Sequence, residues 1–91
     1  MAELQQEVNI INRLGLHARA AAKLVGTASS FTSHVDVEKN RHRVNGKSIM
    51  GVMMLAAGMG STLTLHVNGN DADLCMNALI ELINDKFGEA E

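Results

Sequence analysis

The order of two kinds of hydrophobic pattern limits the fold of this chain more than any other feature. Alternation of polar and apolar residues predicts four strands, at residues 4–12, 34–38, 42–44 and 62–67. Helix-forming runs with apolar residues three or four apart predict three helices, at residues 17–29, 49–55 and 71–87. The order β-α-β-β-α-β-α predicts an α+β domain with all helices on one face of a mainly antiparallel sheet.

The first predicted strand and the first predicted helix each have one apolar side. In the strand, Val8 and Ile10 alternate with other residues, and residues 13–16 then break the pattern. The run from His17 to Ser29 contains five alanines together with Lys and Leu, which favours a helix. We expect its buried stripe to consist of Ala21, Leu24, Val25 and Ala28.

Turn and cap residues mark the boundaries of the later elements. Asn40 and Arg41 fit a two-residue hairpin turn, strained because Gly is usually preferred where Arg41 stands. Ser48 and Asp71 are typical N-caps for the second and third helices, and Gly88 is a typical helix end. We expect the third helix to bury Leu74, Ala78, Leu79, Leu82 and Ile83.

Composition restricts the class of protein. The chain has 91 residues, which predicts one domain spanning residues 1–91. Aromatic residues make up only 2%, so the core must be aliphatic. The net charge of −2 supplies no basic field for nucleic acid, and no apolar run approaches the roughly 20 residues of a membrane span. The polar N-terminus is unlike a signal peptide and Cys75 is the lone cysteine, so we expect a reducing, cytoplasmic location.

Four histidines are the candidates for chemistry, and three of them fit surface positions. His34, His42 and His66 fall in strand patterns at positions predicted to face solvent. His34 and His42 could approach each other across the hairpin, but two neutral ligands alone make a poor metal site. We therefore expect no metal and no cofactor.

His17 differs because it follows a glycine-containing loop and opens a helix. The first N–H groups of a helix lack partners, and the helix dipole there favours anions over cations. A neutral imidazole at this place can act as a nucleophile, and a phosphoryl group on it would lie beside the N–H groups of residues 18 and 19. Arg19 adds a guanidinium suited to phosphate oxygens. The alternative is that His17 is only a weak N-cap with an exposed ring.

Two motifs resemble one known family. Residues 15–19 (Gly-Leu-His-Ala-Arg), followed by the Ala-rich helix, resemble the active-site segment of the HPr family, the histidine-containing phosphocarriers of the bacterial phosphoenolpyruvate-dependent phosphotransferase system. Residues 45–53 (Asn-Gly-Lys-Ser-Ile-Met-Gly-Val-Met) resemble that family's regulatory-serine segment. The separation of the motifs, the length and the element order also fit, so the resemblance covers essentially the whole chain.

The resemblance implies a fold and a set of roles. The fold would be an open-faced β-sandwich, with four antiparallel strands under three helices. His17 would accept a phosphoryl group from phospho-Enzyme I on Nδ1 and pass it to an enzyme IIA domain, and Arg19 would stabilise that group. Ser48 would be the serine phosphorylated by HPr kinase/phosphorylase in bacteria that have it. The protein would act as a monomer.

The resemblance also implies a partner surface and shows one departure. The surface would consist of Ala18, Ala20, Lys23, Ile49, Met50 and Met53. The family usually has Pro after the active-site Arg, whereas this chain has Ala20. The loss of Pro makes the first helical turn less rigid, but it removes neither the nucleophile nor Arg19.

Two other functions remain open. In the first, the carrier belongs to the nitrogen-related branch of the same phosphorelay and feeds a regulatory acceptor. In the second, the protein regulates a partner by binding through its Met-rich helix, which offers an adaptable apolar surface. We expect about half of the methionines in this region to be buried, because Met at helical spacing is more often core; they are Met50, Met53, Met54 and Met59.

Overall fold

The chain folds into four strands and three helices in the predicted order. A computed structural model describes residues 2–91. The elements are β1 (Ala2–Asn9), α1 (Ala18–Ser29), β2 (His34–Lys39), β3 (His42–Asn45), α2 (Ile49–Met54), β4 (Thr62–Gly69) and α3 (Ala72–Asn84). A 3₁₀ turn, Lys86–Gly88, follows α3.

The strands form one antiparallel sheet in the order β1-β4-β2-β3. Strand β4 lies between β1 and β2 and pairs with both. Its Leu63 pairs with Val8 of β1, and its Leu65 pairs with Val37 of β2. These four side chains are buried, because they point to the sheet face that the helices cover. The predicted open-faced α+β arrangement is confirmed.

The core is aliphatic, as the composition predicts. All four residues of the predicted α1 stripe are buried, and Ala20 is buried beside them. The helices contribute Val52 of α2 and Leu79 and Ile83 of α3, each fully buried. Phe87 is a fully buried aromatic residue at the end of this core, in the 3₁₀ turn.

The β2–β3 hairpin has the predicted two-residue turn. Asn40 and Arg41 have φ values of 50° and 71°. Two successive residues with positive φ match the twist of the flanking strands, which is typical of a type I′ turn. A non-glycine residue in this region costs about 1–2 kcal/mol, so Arg41 is strained as expected.

Helix α3 differs from the sequence-based prediction in its buried face. Leu74 was expected to face inward, but 67% of it is exposed. The buried stripe instead includes Ala72, Cys75 and Met76, so its phase is shifted by one residue at the N-terminal end. The rest of the predicted face is not contradicted, because Leu79 and Ile83 are fully buried and Ala78 and Leu82 are half-buried.

Asp71 stands before α3 but does not cap it through its side chain. Its carboxylate instead accepts hydrogen bonds from the hydroxyl of Ser33 and from the backbone N–H groups of Thr32 and Ser33, each N–H at 2.9 Å. The Ser33 hydroxyl and these N–H groups lower the pKa of Asp71 from 3.8 to about 2. The residue thus ties the loop before β2 to the start of α3.

The sheet face opposite the helices is polar, and it holds one histidine differently from the prediction. His66 was expected to face solvent freely, but it is only 9% exposed. Its Nε2 lies 2.7 Å from Oε1 of Glu38, on the neighbouring strand β2. A carboxylate at a diagonal cross-strand position explains the burial of a polar ring on this face.

Within residues 2–91, no helix combines the length and the apolar character needed to cross a membrane.

Candidate functional site

The loop before α1 is fixed in place by its backbone. Gly15 has φ of +69°, and a Cβ atom there would lie 2.6 Å from the carbonyl oxygen of Ala57. The next residue, Leu16, donates its N–H to the same oxygen at 2.8 Å. This contact joins the loop to the segment after α2, and it fixes the position of His17.

His17 is the N-cap residue of α1, in extended conformation with φ −69° and ψ 175°. Its carbonyl oxygen accepts the N–H of Ala21 at 2.8 Å, but its ring makes no capping hydrogen bond. In the described part of the chain, the N–H groups of Ala18 and Arg19 have no backbone acceptor. The ring therefore lies beside two free donors at the positive end of a helix, where an anion is stabilised.

A surface cleft of about 420 Å³ lies in front of His17. It is formed by the loop before α1, the first turn of α1 and the C-terminal tail; its lining residues are Arg13, Leu14, His17, Arg19, Glu89, Ala90 and Glu91. Arg19 is exposed, and its guanidinium has no hydrogen-bond or ion-pair partner among residues 2–91. It is therefore free to bind an anion that enters the cleft.

The C-terminal tail approaches the ring of His17 from the side of Nε2. Oε2 of Glu89 forms a close contact with Nε2 of His17, and Oε1 of Glu89 accepts a hydrogen bond from Nδ2 of Asn12 at 2.9 Å. The Asn12 amide and the His17 ring lower the pKa of Glu89, so this carboxyl group is ionised at neutral pH. Sequence reasoning missed both Asn12 and Glu89, since they contact each other across 77 positions of the chain.

A strained turn directs the tail to this place. Lys86, Phe87 and Gly88 all have positive φ, at 57°, 56° and 78°. The two non-glycine residues each cost about 1–2 kcal/mol in this conformation. Burial of the Phe87 ring offsets the cost, and Lys23 of α1 donates from Nζ to the Phe87 carbonyl at 2.6 Å.

The end of the tail is held by a second pair of contacts. Nη1 of Arg13 lies 2.8 Å from Oε2 of Glu91, and the backbone N–H of Arg13 donates to the carbonyl of Glu91 at 2.8 Å. Both side chains of this pair are largely exposed, so the ion pair itself contributes little to stability. Its geometry closes one side of the cleft.

The predicted partner surface is partly present. Ala18 and Lys23 are exposed. In α2, Ile49, Met50 and Met53 are 44%, 72% and 40% exposed. Ala20 does not fit this surface, because its side chain, in the first turn of α1, is fully buried. The remaining five residues stay a prediction.

The methionines of this region are more exposed than we expected. Met50, Met53, Met54 and Met59 are all exposed, so the expectation that about half are buried is wrong. Helix α2 has only six residues, and Val52 is the one that it buries. A helix this short presents most of its side chains to solvent.

Ser48 is the predicted N-cap of α2. Its Oγ accepts a hydrogen bond from the Gly51 N–H at 3.1 Å. Helices α1 and α2 pack against each other, so Ser48 and His17 open two adjacent helices.

The structure offers no metal site in the part that it describes. His34 and His42 are exposed, and His42 pairs in register with Lys39 while His34 pairs with Asn68. Residues 2–91 contain no group of three or more His, Cys, Asp or Glu side chains arranged to hold a metal ion.

Comparison with known proteins identifies the family. A family model described as "PTS HPr component phosphorylation site" matches residues 4–85. The chain belongs to the HPr family. It is 56% identical over 88 residues to the phosphocarrier protein HPr of Cupriavidus necator, a match that covers 97% of this chain and 99% of that protein.

Two further similarities bear on fold and function. The crystal structure of HPr-C-His from Thermoanaerobacter tengcongensis matches with a TM-score of 0.91 and 45% identity, and the match covers 100% of both chains. The phosphocarrier protein NPr of Shewanella violacea is 42% identical over 90 residues, covering 99% of each. HPr-family proteins are phosphocarriers of the phosphotransferase system and not enzymes, and the fold predicted from the resemblance is confirmed.

Proposed function

We propose that the chain accepts a phosphoryl group on Nδ1 of His17 from phospho-Enzyme I and passes it to enzyme IIA domains of the sugar phosphotransferase system. One observation carries the proposal: His17 opens α1, beside free N–H groups and the unpaired guanidinium of Arg19. Among residues 2–91 the only hydrogen-bond partner of the ring is Glu89, at Nε2, which leaves Nδ1 unoccupied.

The transfer step needs only a lone pair and a site for negative charge. The Nδ1 lone pair of neutral His17 attacks the phosphorus, and the bond between phosphorus and the donor atom breaks, with its electron pair remaining on the donor. The proton on Nε2 stays on the ring, so the phosphorylated ring is a cation that carries an anionic phosphoryl group. The reverse sequence of bond changes delivers the group to the next acceptor.

Arg19 and the first turn of α1 stabilise the transferring group in this proposal. The phosphoryl oxygens would accept hydrogen bonds from the N–H groups of Ala18 and Arg19. The guanidinium of Arg19 would neutralise charge that develops in the transition state. Because Arg19 has no acidic partner in the described structure, no ion pair has to break before its guanidinium binds the phosphoryl group.

The direct test is phosphorylation by phosphoenolpyruvate and Enzyme I, followed by intact mass. The wild-type protein should gain one acid-labile phosphoryl group, since a protonated ring nitrogen is a good leaving group. His17→Ala should gain none, whereas the control His42→Ala, which removes an exposed histidine of β3, should behave as wild type. Wild-type labelling of His17→Ala would refute the proposal.

Regulation through Ser48 is part of the proposal and rests on the resemblance of residues 45–53 to the family's regulatory-serine segment. A phosphate there would add about −1.5 to −2 charges beside the exposed apolar side chains of Ile49, Met50 and Met53. A partner that buries these side chains would then have to desolvate or displace the phosphate. HPr kinase/phosphorylase is the proposed modifying partner.

Charge variants test the regulation. Ser48→Asp should weaken binding to Enzyme I, and Ser48→Ala should not, although it loses the cap and about 1 kcal/mol of stability. Phosphotransfer from Enzyme I at the wild-type rate to a fully Ser48-phosphorylated sample would rule out the switch.

The nitrogen-related branch is the second candidate function, and the similarity to NPr of Shewanella violacea favours it. The higher identity to HPr of Cupriavidus necator favours the sugar branch. Transfer rates from the phosphorylated chain to a sugar-type and a nitrogen-type IIA domain separate the two. Faster transfer to the nitrogen-type domain would overturn the sugar assignment.

Regulation by binding alone is the third candidate, and the exposure of Met50 and Met54, at 72% and 79%, favours it. It requires that His17→Ala retain full function, whereas phosphoryl carriage requires that it lose function.

The proposal also treats residues 1–91 as one domain and the protein as a cytoplasmic monomer. The single free thiol of Cys75 fits the reducing conditions of that compartment.

A further inference from the structure

We infer that Glu89, held in place by Asn12, is a positioning residue that keeps the proton of the neutral His17 ring on Nε2 and leaves Nδ1 as the nucleophile. This inference rests on the proposed function for its role in transfer, but the placement of the proton can be tested alone. Two contacts of Glu89 support the inference, one with Asn12 and one with His17, and both join the C-terminal tail to the segment at the start of α1.

The first step concerns which nitrogen of the ring is protonated. An ionised carboxylate can only accept hydrogen bonds, so the close contact of Glu89 Oε2 with Nε2 requires a proton on Nε2. In a neutral imidazole the other nitrogen then carries the free lone pair. The lowered pKa of Glu89 supports its ionised state at the pH at which a phosphocarrier works.

The second step concerns the orientation of Asn12. Its side chain is fully buried, and Nδ2 donates to the carbonyl of Gly15 at 2.8 Å and to Oε1 of Glu89 at 2.9 Å. Both neighbours are acceptors, so the amide has one possible orientation. Oδ1 of Asn12 is buried without a hydrogen-bond partner, which lowers stability. The two hydrogen bonds donated by Nδ2 offset that loss.

The third step concerns the backbone turn that places the Glu89 carboxylate beside the His17 ring. The left-handed residues Lys86 and Phe87 reverse the chain after α3, and the buried ring of Phe87 anchors the reversal. The side chain of Glu89 is only 18% exposed at its place beside the ring. Glu91, two residues further, is 67% exposed and pairs with Arg13 instead.

The arrangement also favours the phosphorylated state. When Nδ1 takes a phosphoryl group and Nε2 keeps its proton, the ring becomes a cation, and the carboxylate of Glu89 faces that cation directly. Other charges near the ring are those of Arg13, Arg19, Lys23 and Glu91. None of these four has a contact with Nε2 in the described structure.

The test compares Glu89→Gln with Glu91→Gln, which removes the same charge from the same tail without touching the ring. The amide of Glu89→Gln can donate as well as accept, so it fits both tautomers of His17. ¹H–¹⁵N correlation spectra, recorded about two pH units above the ordinary histidine pKa, identify the protonated nitrogen of the neutral ring. Comparison with His17→Ala assigns the signal.

We expect a proton almost entirely on Nε2 in wild type and Glu91→Gln, and a mixture of tautomers in Glu89→Gln. Transfer from phospho-Enzyme I should slow at least about tenfold in kcat for Glu89→Gln, by analogy with carboxylates that orient metal-ligating histidines, whose loss costs about 10–100-fold. KM should match that of Glu91→Gln. An unchanged tautomer, or an unchanged kcat despite a changed tautomer, would overturn the inference.

The role of Asn12 is tested in the background of the first variant. If Asn12 acts through Glu89, Asn12→Ala slows the wild-type protein but adds nothing to Glu89→Gln. If Asn12→Ala slows Glu89→Gln as much as it slows wild type, Asn12 does not act through Glu89. A wild-type chain that shows the Nε2 proton but takes no phosphoryl group would refute the proposed function while leaving the positioning of the ring intact.

Discussion

Substitution of Gly15 should weaken the fold more than substitution of any glycine that has open space around it. Gly15 has φ of +69°, and an added Cβ would lie 2.6 Å from the Ala57 carbonyl oxygen and 2.7 Å from Cα of Gly58. Both neighbours are backbone atoms, which cannot turn aside as a flexible side chain does. Gly15→Ala therefore combines an unfavourable conformation with a collision.

The two contributions can be separated by a matched control. A positive φ costs an L residue about 1–2 kcal/mol, and forcing an extra carbon into a packed site costs about 1–3 kcal/mol more. Gly15→Ala should thus lose about 2–5 kcal/mol. Gly60 has φ of +91° with no atom within 4 Å of its Cβ position, so Gly60→Ala should lose only the conformational part.

Urea titration measures both variants. The midpoint should fall for each, with the slope of the free energy of unfolding against urea unchanged. Equal losses in Gly15→Ala and Gly60→Ala would refute the close approach of the loop to Ala57. Because Leu16 donates to that same carbonyl, relaxation of the collision should also displace His17 and slow phosphotransfer.

Three further predictions concern the first turn of α1 and the loop before β2. Arg19→Ala should slow transfer from Enzyme I at least tenfold, equivalent to about 1.4 kcal/mol, with stability changed by less than about 0.5 kcal/mol; unchanged kinetics would reduce Arg19 to a surface residue. Ala20→Pro sacrifices no helical hydrogen bond, because the first such N–H belongs to Ala21, and should stabilise by about 0.4–1 kcal/mol; a loss above about 1 kcal/mol would contradict this backbone geometry. The pKa of Asp71 is lowered from 3.8 to about 2 on folding, so its contribution to stability is full above pH 4 and disappears as the pH falls through 2. The stability gap between wild type and Asp71→Asn should close over that range, and a gap independent of pH would contradict the carboxylate clamp.

Local patterns predicted the strands and helices because these depend on neighbours in sequence. The alanines of α1 select a helix, and their spacing selects the buried face, independently of the rest of the chain. The hairpin turn at Asn40 and Arg41 follows from its two flanking strands. The start of a helix is also a local feature and made His17 a candidate, but its role as nucleophile was inferred from the resemblance of residues 15–19 and 45–53 to the HPr family.

The errors come from contacts that local patterns do not contain. The burial of His66 depends on Glu38, which a different strand brings to it. Ala20 is fully buried, which its own helix does not determine, and α3 packs on β1 and β4 with Cys75 buried in place of Leu74. Glu89 reaches His17 only because the chain reverses at Phe87, and left-handed Lys86 and Phe87 carry no signal for that reversal.

The most direct measurement is the position of the phosphoryl group on the phosphorylated chain, determined by ³¹P and ¹⁵N spectra of a ¹⁵N-labelled sample treated with phosphoenolpyruvate and Enzyme I. We predict coupling of phosphorus to Nδ1 of His17, with a proton retained on Nε2, the nitrogen that contacts Glu89. Phosphorus on Nε2, or on any residue other than His17, would contradict the central claim.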